Sequence, residues 1–97
     1  MTDLTTADRL SVPHAVVSRE LDGETVLLNL DTGIYFGLDE VATDMWRALA
    51  GGATIGDAIA MVHEEYDVDA ATVGEDLLRL ATQLVSKGLL QRAAGRP

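Results

Sequence analysis

Apolar and polar residues change rhythm once along this chain. Three short runs in the first half alternate with a period near two: His14 to Leu21, Glu24 to Leu30 and Ile34 to Leu38. The connections between them, Asp22-Gly23 and Asp31-Thr32-Gly33, carry the residues that tolerate positive φ and suit short antiparallel turns. The pattern predicts a three-stranded antiparallel meander. In its middle strand Val26, Leu28 and Leu30 share one face, while Asn29 and Asp31 share the other with Leu27, as in a sheet covered on one side only.

From Asp39 onward the apolar residues recur at three and four positions. Val41, Ala42, Met45, Trp46 and Leu49 predict a helix capped by Asp39 and ended by Gly51-Gly52. Thr54 begins a capping-box-like segment, with Asp57 where Glu or Gln is usual, and opens a short helix through Ala58, Ile59 and Val62 to about Tyr66. Asp69 caps the longest helix, striped by Val73, Leu77, Leu80, Ala81 and Leu84. Gly88 in left-handed geometry would end it and bring Leu89 against Leu84. Strands followed by helices predict an α+β layer with no parallel sheet and no switch-point crevice. Residues 1–12, mostly polar and leading to Pro13, are expected to form a flexible N-terminal arm, 13–92 the domain, and 93–97 a flexible tail.

Composition narrows the chemistry. The 97 residues suit one domain, and 47% hydrophobic residues suffice for a small core. With no cysteine there is no disulfide framework and no thiolate chemistry. Neither a signal-peptide pattern nor an apolar run long enough for a membrane span is present, so a cytoplasmic protein without a membrane partner is expected. Sixteen acidic against seven basic residues give a net charge of -9, and the basic residues are scattered, which argues against nucleic acid as a partner.

Catalytic and cofactor motifs are absent from the pattern. His14 and His63 fall in different elements, and Asp67 stands where a zincin helix would need its second histidine. The nine glycines form no phosphate-binding loop, and none of the three serines sits in a nucleophile elbow. Glu64/Glu65 and Glu75/Asp76 are sequence neighbours that diverge by about 100° on a helix, as solvated faces do. No enzymatic activity, metal or cofactor is expected. Two features exceed the needs of a core: the short, nearly uncharged third strand at a sheet edge, and the apolar Leu78 and Val85 beside the main stripe of the long helix. By residues alone the first reading is a widened buried stripe and an edge that binds nothing; the second joins the two features into a groove for an extended peptide added as a fourth strand.

Residues 16 to 90 resemble the PqqD family of peptide-recognition proteins. The resemblance runs through Leu28-Asn29-Leu30-Asp31-Thr32-Gly33-Ile34-Tyr35-Phe36-Gly37-Leu38-Asp39, then Ala42 and Trp46, Gly51-Gly52-Ala53-Thr54, Tyr66, Val73, Asp76, Leu77, Leu84 and Gly88-Leu89-Leu90. It implies a winged-helix-like fold, with three antiparallel strands followed by three helices. It further implies that the leader segment of a ribosomally made precursor peptide docks along the third strand, Ile34, Tyr35, Phe36, Gly37 and Leu38. The helix wall it implies lies among Val73, Asp76, Leu77, Leu80 and Ala81. Free-standing chains of this size resemble the B1 proteins of lasso-peptide clusters, whose partners are a leader peptidase and a cyclase, and also the chaperone of pyrroloquinoline quinone synthesis. Two other readings compete. A winged-helix DNA-binding regulator would need a basic recognition helix, and a regulatory subunit would use the region of Trp46 and Tyr66 to bind a folded partner.

Overall fold

The computed structural model describes residues 4–93. The predicted meander is present: β2 (Val16–Leu21), β3 (Glu24–Asn29) and β4 (Tyr35–Leu38) form an antiparallel sheet in that order, after a two-residue strand β1 (Leu10–Ser11). Three helices follow, α1 (Glu40–Ala50), α2 (Ile55–Glu65) and α3 (Ala70–Ser86), and the chain closes with β5 (Gln91–Arg92). The fold is α+β with the strands first and the helices after, as the change of rhythm predicts.

Each helix starts where a capping side chain is available. Asp39 accepts from the Ala42 amide, Thr54 from Asp57 and Asp69 from Thr72, so orphan donors of each first turn are satisfied locally. The end of α3 is equally local. Gly88 takes φ 75°, the Leu89 amide donates to Leu84 O at 2.8 Å and the Gly88 amide to Val85 O at 3.1 Å, the paired bonds of a Schellman close. Leu84 and Leu89 are both fully buried there.

One core joins the layers. Leu27 and Leu38 from the sheet meet Met45, Trp46 and Leu49 of α1, Ile55, Ala58 and Val62 of α2, and Val73, Leu77, Leu80, Ala81 and Leu84 of α3. On β3 the covered face is Thr25, Leu27 and Asn29, and the open face is Val26 and Leu28. The more apolar set of that strand therefore faces outward. The polar residues of the covered face are satisfied there: Thr25 finds a partner in Thr43 Oγ1 of α1 at 3.0 Å, and Asn29 is bonded on both sides of its carboxamide.

The N-terminal segment, expected as an arm, makes contacts with the domain. Within the described residues 4–12 are packed onto the domain, with Leu10 only 2% exposed. β1 pairs with β5, Leu10 opposite Arg92 and Ser11 opposite Gln91. The Ala93 amide donates to Arg9 O, and Arg92 pairs with Asp8 at 2.9 Å. The amides of Ile55 and Gly56 donate to Asp8 O and Thr6 O, so this segment also covers the start of α2. Two-residue strands are too short to produce a period, and their partners lie about eighty positions apart, which is why no local signal revealed them. Residues 1–3 and 94–97, the outer parts of the expected arm and tail, lie outside the described residues.

Asn29 has the strongest local leverage on this arrangement. Its Oδ1 accepts from the amides of Asp31 and Thr32, and its Nδ2 donates to Gly88 O at 2.9 Å. One buried side chain thus ties the β3–β4 turn to the C-terminal end of α3. Asn29→Ala should cost about 1–3 kcal/mol by leaving these groups unsatisfied. Chemical denaturation would show this as a lower midpoint with an unchanged slope.

Candidate functional site

The β4 strand borders β3 on one side, and no other strand lies beyond it among the described residues. Which of its main-chain groups face outward follows from the register. The Asn29 amide donates to Ile34 O at 2.9 Å, so these two form a bonded pair. Bonded and non-bonded pairs alternate in antiparallel ladders. Leu27/Phe36 and Thr25/Leu38 are therefore bonded, whereas Leu28/Tyr35 and Val26/Gly37 are not. The N–H and C=O groups of Tyr35 and Gly37 consequently point away from the sheet. The β2–β3 register agrees: Leu30 N donates to Ala15 O, which makes Val17/Leu28 a bonded pair and turns the main chain of Leu28 toward β2.

The other sheet edge, β2, is chemically guarded. It carries Arg19 and Glu20, and Glu20 is clamped by Arg47 of α1, whose Nε lies 3.0 Å from its Oε2. That guanidinium holds the Glu20 carboxyl below its usual range, and the carboxylate in turn pushes the Arg47 pKa upward. Charged side chains are a common defence of an edge strand. β4 has none; its residues are Tyr35, Phe36, Gly37 and Leu38.

The wall beside the β4 edge is one flank of α3. Positions 76, 80, 83 and 87 recur at helical spacing and share that flank. Lys87 Nζ lies 5.8 Å from the centre of the Phe36 ring, which turns the flank toward β4 and forms a cation–π contact near the outer limit of that interaction. Asp76, Gln83 and Lys87 are exposed there, and Leu80 is 8% exposed. Asp76 is engaged by Arg79 at 2.9 Å. Along this flank an acidic residue, Asp76, precedes the nearly buried Leu80, and a basic one, Lys87, ends it beside the half-buried Phe36.

Several predicted wall residues are buried. Leu77 and Ala81 are fully buried and Val73 nearly so, and all three belong to the core. Leu78 and Val85 share the opposite flank with Gly74, where an added Cβ would lie 3.6 Å from Ile59 of α2. That flank packs on the helical layer and not beside the strand. Of the predicted strand residues, Tyr35 and Gly37 project from the outer face, Phe36 and Leu38 turn inward, and Ile34 is 41% exposed at the strand entry. Gln83, Lys87 and Asn29 were not singled out from sequence. The spacing 76, 80, 83, 87 is visible there, but nothing local says which flank meets the strand.

A second polar cluster lies across the molecule. The Tyr66 hydroxyl donates to Asp44, which raises the Tyr66 pKa to about 12, and Asp44 also pairs with Arg47. With Glu20 these groups pin the end of α2 to α1 and β2, which is a structural task. Trp46 is 5% exposed and belongs to the core. Among the described residues no group of His, Asp or Glu side chains is arranged to hold a metal ion, and no helix is long and apolar enough to cross a membrane.

Comparison with known proteins bears on the fold and the family. No curated protein matches the sequence. Among solved structures, that of TbiB1 in complex with the TbiA(beta) leader peptide superposes with a TM-score of 0.79 at 40% identity, covering 88% of this chain and 99% of that one. A lasso peptide synthetase B1 complexed with its leader peptide shares the fold, with a TM-score of 0.77, 23% identity, and coverage of 84% and 96%. The family described as coenzyme PQQ synthesis protein D (PqqD) matches residues 24–90, from the start of β3 to the end of the α3 cap. On this match and that identity, the chain belongs to the PqqD family.

Proposed function

We propose that the protein binds the leader segment of a ribosomally synthesised precursor peptide as a fourth strand on β4 and presents it to modifying enzymes, the leader peptidase and cyclase of lasso-peptide biosynthesis. The observation that carries this reading is the uncharged β4 edge, where Tyr35 and Gly37 direct free main-chain groups outward beside the Asp76–Leu80–Gln83–Lys87 flank. Main-chain pairing gives affinity that tolerates sequence, and the helix flank reads every second guest residue. The 40%-identical TbiB1 is a leader-peptide complex, which supports the same ligand class here.

The protein acts in this reading by binding alone, without catalysis, in the cytoplasm where precursors are made. The family description also brings the quinone-cofactor chaperone into view, a related task on a related peptide. The fold shared with a lasso peptide synthetase B1 complexed with the leader peptide favours the lasso type.

Titration with the TbiA(beta) leader, followed by amide hydrogen exchange, tests the reading. Binding should newly protect the Tyr35 and Gly37 amides, whereas those of Phe36 and Leu38 already bond to β3. No binding, or protection gained on β2 with none on β4, would overturn it.

A further inference from the structure

Gly37 is unexplained by the fold. It lies mid-strand, where glycine weakens a sheet and lacks a side chain to pack. Its φ is not among the positive values of the chain, so the backbone does not require it. Space does not require it either, because a Cβ built there would meet nothing within 4 Å. The remaining reason for glycine in a strand is close approach from outside the chain.

Its surroundings say what approaches. Across the sheet, Arg19, Val26 and Gly37 stand in one row, and Val17, Leu28 and Tyr35 in the next. Both rows are on the open face. Val26 is 53% exposed and Tyr35 73% exposed, so the missing side chain at position 37 leaves a gap between two exposed apolar groups. A hollow of about 260 Å³ adjoins Gly37 on the side away from Tyr35, lined by Glu24, Thr25, Val26, Gly37, Leu38 and Asp39. Its lining combines exposed Val26 and the bare Gly37 backbone with two acidic residues, Glu24 and Asp39.

We propose that this hollow is a second specificity subsite, which takes a large apolar or aromatic side chain from the guest strand on the face opposite α3. The proposal rests on strand addition at β4. A guest residue directly opposite Gly37 shares its face, and neighbouring strands lie about 4.8 Å apart. A leucine- or phenylalanine-sized side chain reaches across the bare Gly37 backbone to Val26, and an alanine methyl does not. The same device, an aromatic residue laid over a cross-strand glycine, is known to stabilise sheets. The negative charges of Glu24 and Asp39 nearby disfavour an acidic guest residue at this position. The bound peptide is thus read on both faces: residues opposite Phe36 and Leu38 by the α3 flank, and the residue opposite Gly37 by Val26.

The test is a single-position saturation library of the TbiA(beta) leader, displayed and sorted against the wild-type chain, Gly37→Val and Gly37→Pro. Valine suits an edge strand and fills the hollow, and an unchanged thermal melt would show that the fold is kept. On the wild type, one leader position should prefer a large apolar residue over alanine by roughly fivefold, the scale of a partly buried side chain. On Gly37→Val that preference should fall to within about twofold, while positions facing α3 keep theirs. Identical profiles on both chains would overturn the subsite. If strand addition itself is wrong, Gly37→Pro will retain wild-type binding. If only the subsite is wrong, Gly37→Pro will lose binding while Gly37→Val sorts like wild type. A leader that fails to bind the wild-type chain overturns both.

Discussion

Proline at Gly37 is expected to weaken leader binding about tenfold or more and to leave the melting temperature near that of the wild type. The Gly37 N–H points away from β3, so its loss removes no bond of the folded chain. Proline is accepted on edge strands in that orientation, and Phe36 before it is already extended, as the residue preceding proline must be. The complex loses one main-chain bond, worth about 0.5–1.5 kcal/mol, and the pyrrolidine ring also stands where the guest backbone must approach. Tyr35→Pro should behave alike. Phe36→Pro is the opposite case, because its N–H lies in a bonded pair with Leu27, and it should destabilise the fold. Calorimetric titration combined with thermal melts separates the two outcomes. Equal affinity for wild type, Tyr35→Pro and Gly37→Pro would exclude strand addition at β4.

Leu77→Ala should lower stability by about 2–5 kcal/mol, the cost of a cavity at a fully buried leucine. For a domain of this size that corresponds to a melting temperature lower by roughly 10 °C or more. The affinity of the folded fraction for leader should nevertheless stay close to wild type, since Leu77 sits behind the groove and not in it. Leu80→Ala should lower both quantities, because Leu80 lies at the surface edge of the core on the flank that ends at Lys87, whose ammonium contacts Phe36. Measured below the melting transition, a loss of affinity in Leu77→Ala equal to that in Leu80→Ala would mean that the groove runs over the central stripe of α3.

Edge protection explains why the two borders of one sheet have different roles. β2 carries the Glu20–Arg47 pair and Arg19, and these would have to be desolvated or displaced by an incoming strand. β4 offers no such obstacle, and Asn29 holds its turn against the end of α3. An edge that is open, uncharged and held beside a helix flank is prepared for a guest backbone. Left unoccupied, it is also a site for unwanted pairing, a risk that the net charge of -9 offsets by mutual repulsion between copies.

Much of this organisation was legible in the residues alone, because it depends on short-range rules. Asp39, Thr54 and Asp69 cap their helices through bonds three residues long, and Gly33 and Gly88 take the left-handed geometry that their turns require. Alternation along 24–29 and the three- and four-residue spacing along 70–86 depend only on how side chains project from a strand or a helix. The resemblance to the PqqD family is also the source of the proposal that a guest strand docks on β4. Other features depended on contacts between distant residues. The β1–β5 pairing joins segments about eighty residues apart. Whether Val26 or Leu27 faces the helices was settled only in the tertiary structure, where Thr25 and Asn29 find partners in α1 and after α3. Whether Leu78 and Val85 or Leu80, Gln83 and Lys87 stand beside the strand was decided by the rotation of α3 about its axis. A helical stripe states which residues are apolar but carries no information about what lies to its left and right; only the packing of α2 on one flank and Phe36 on the other supplies that.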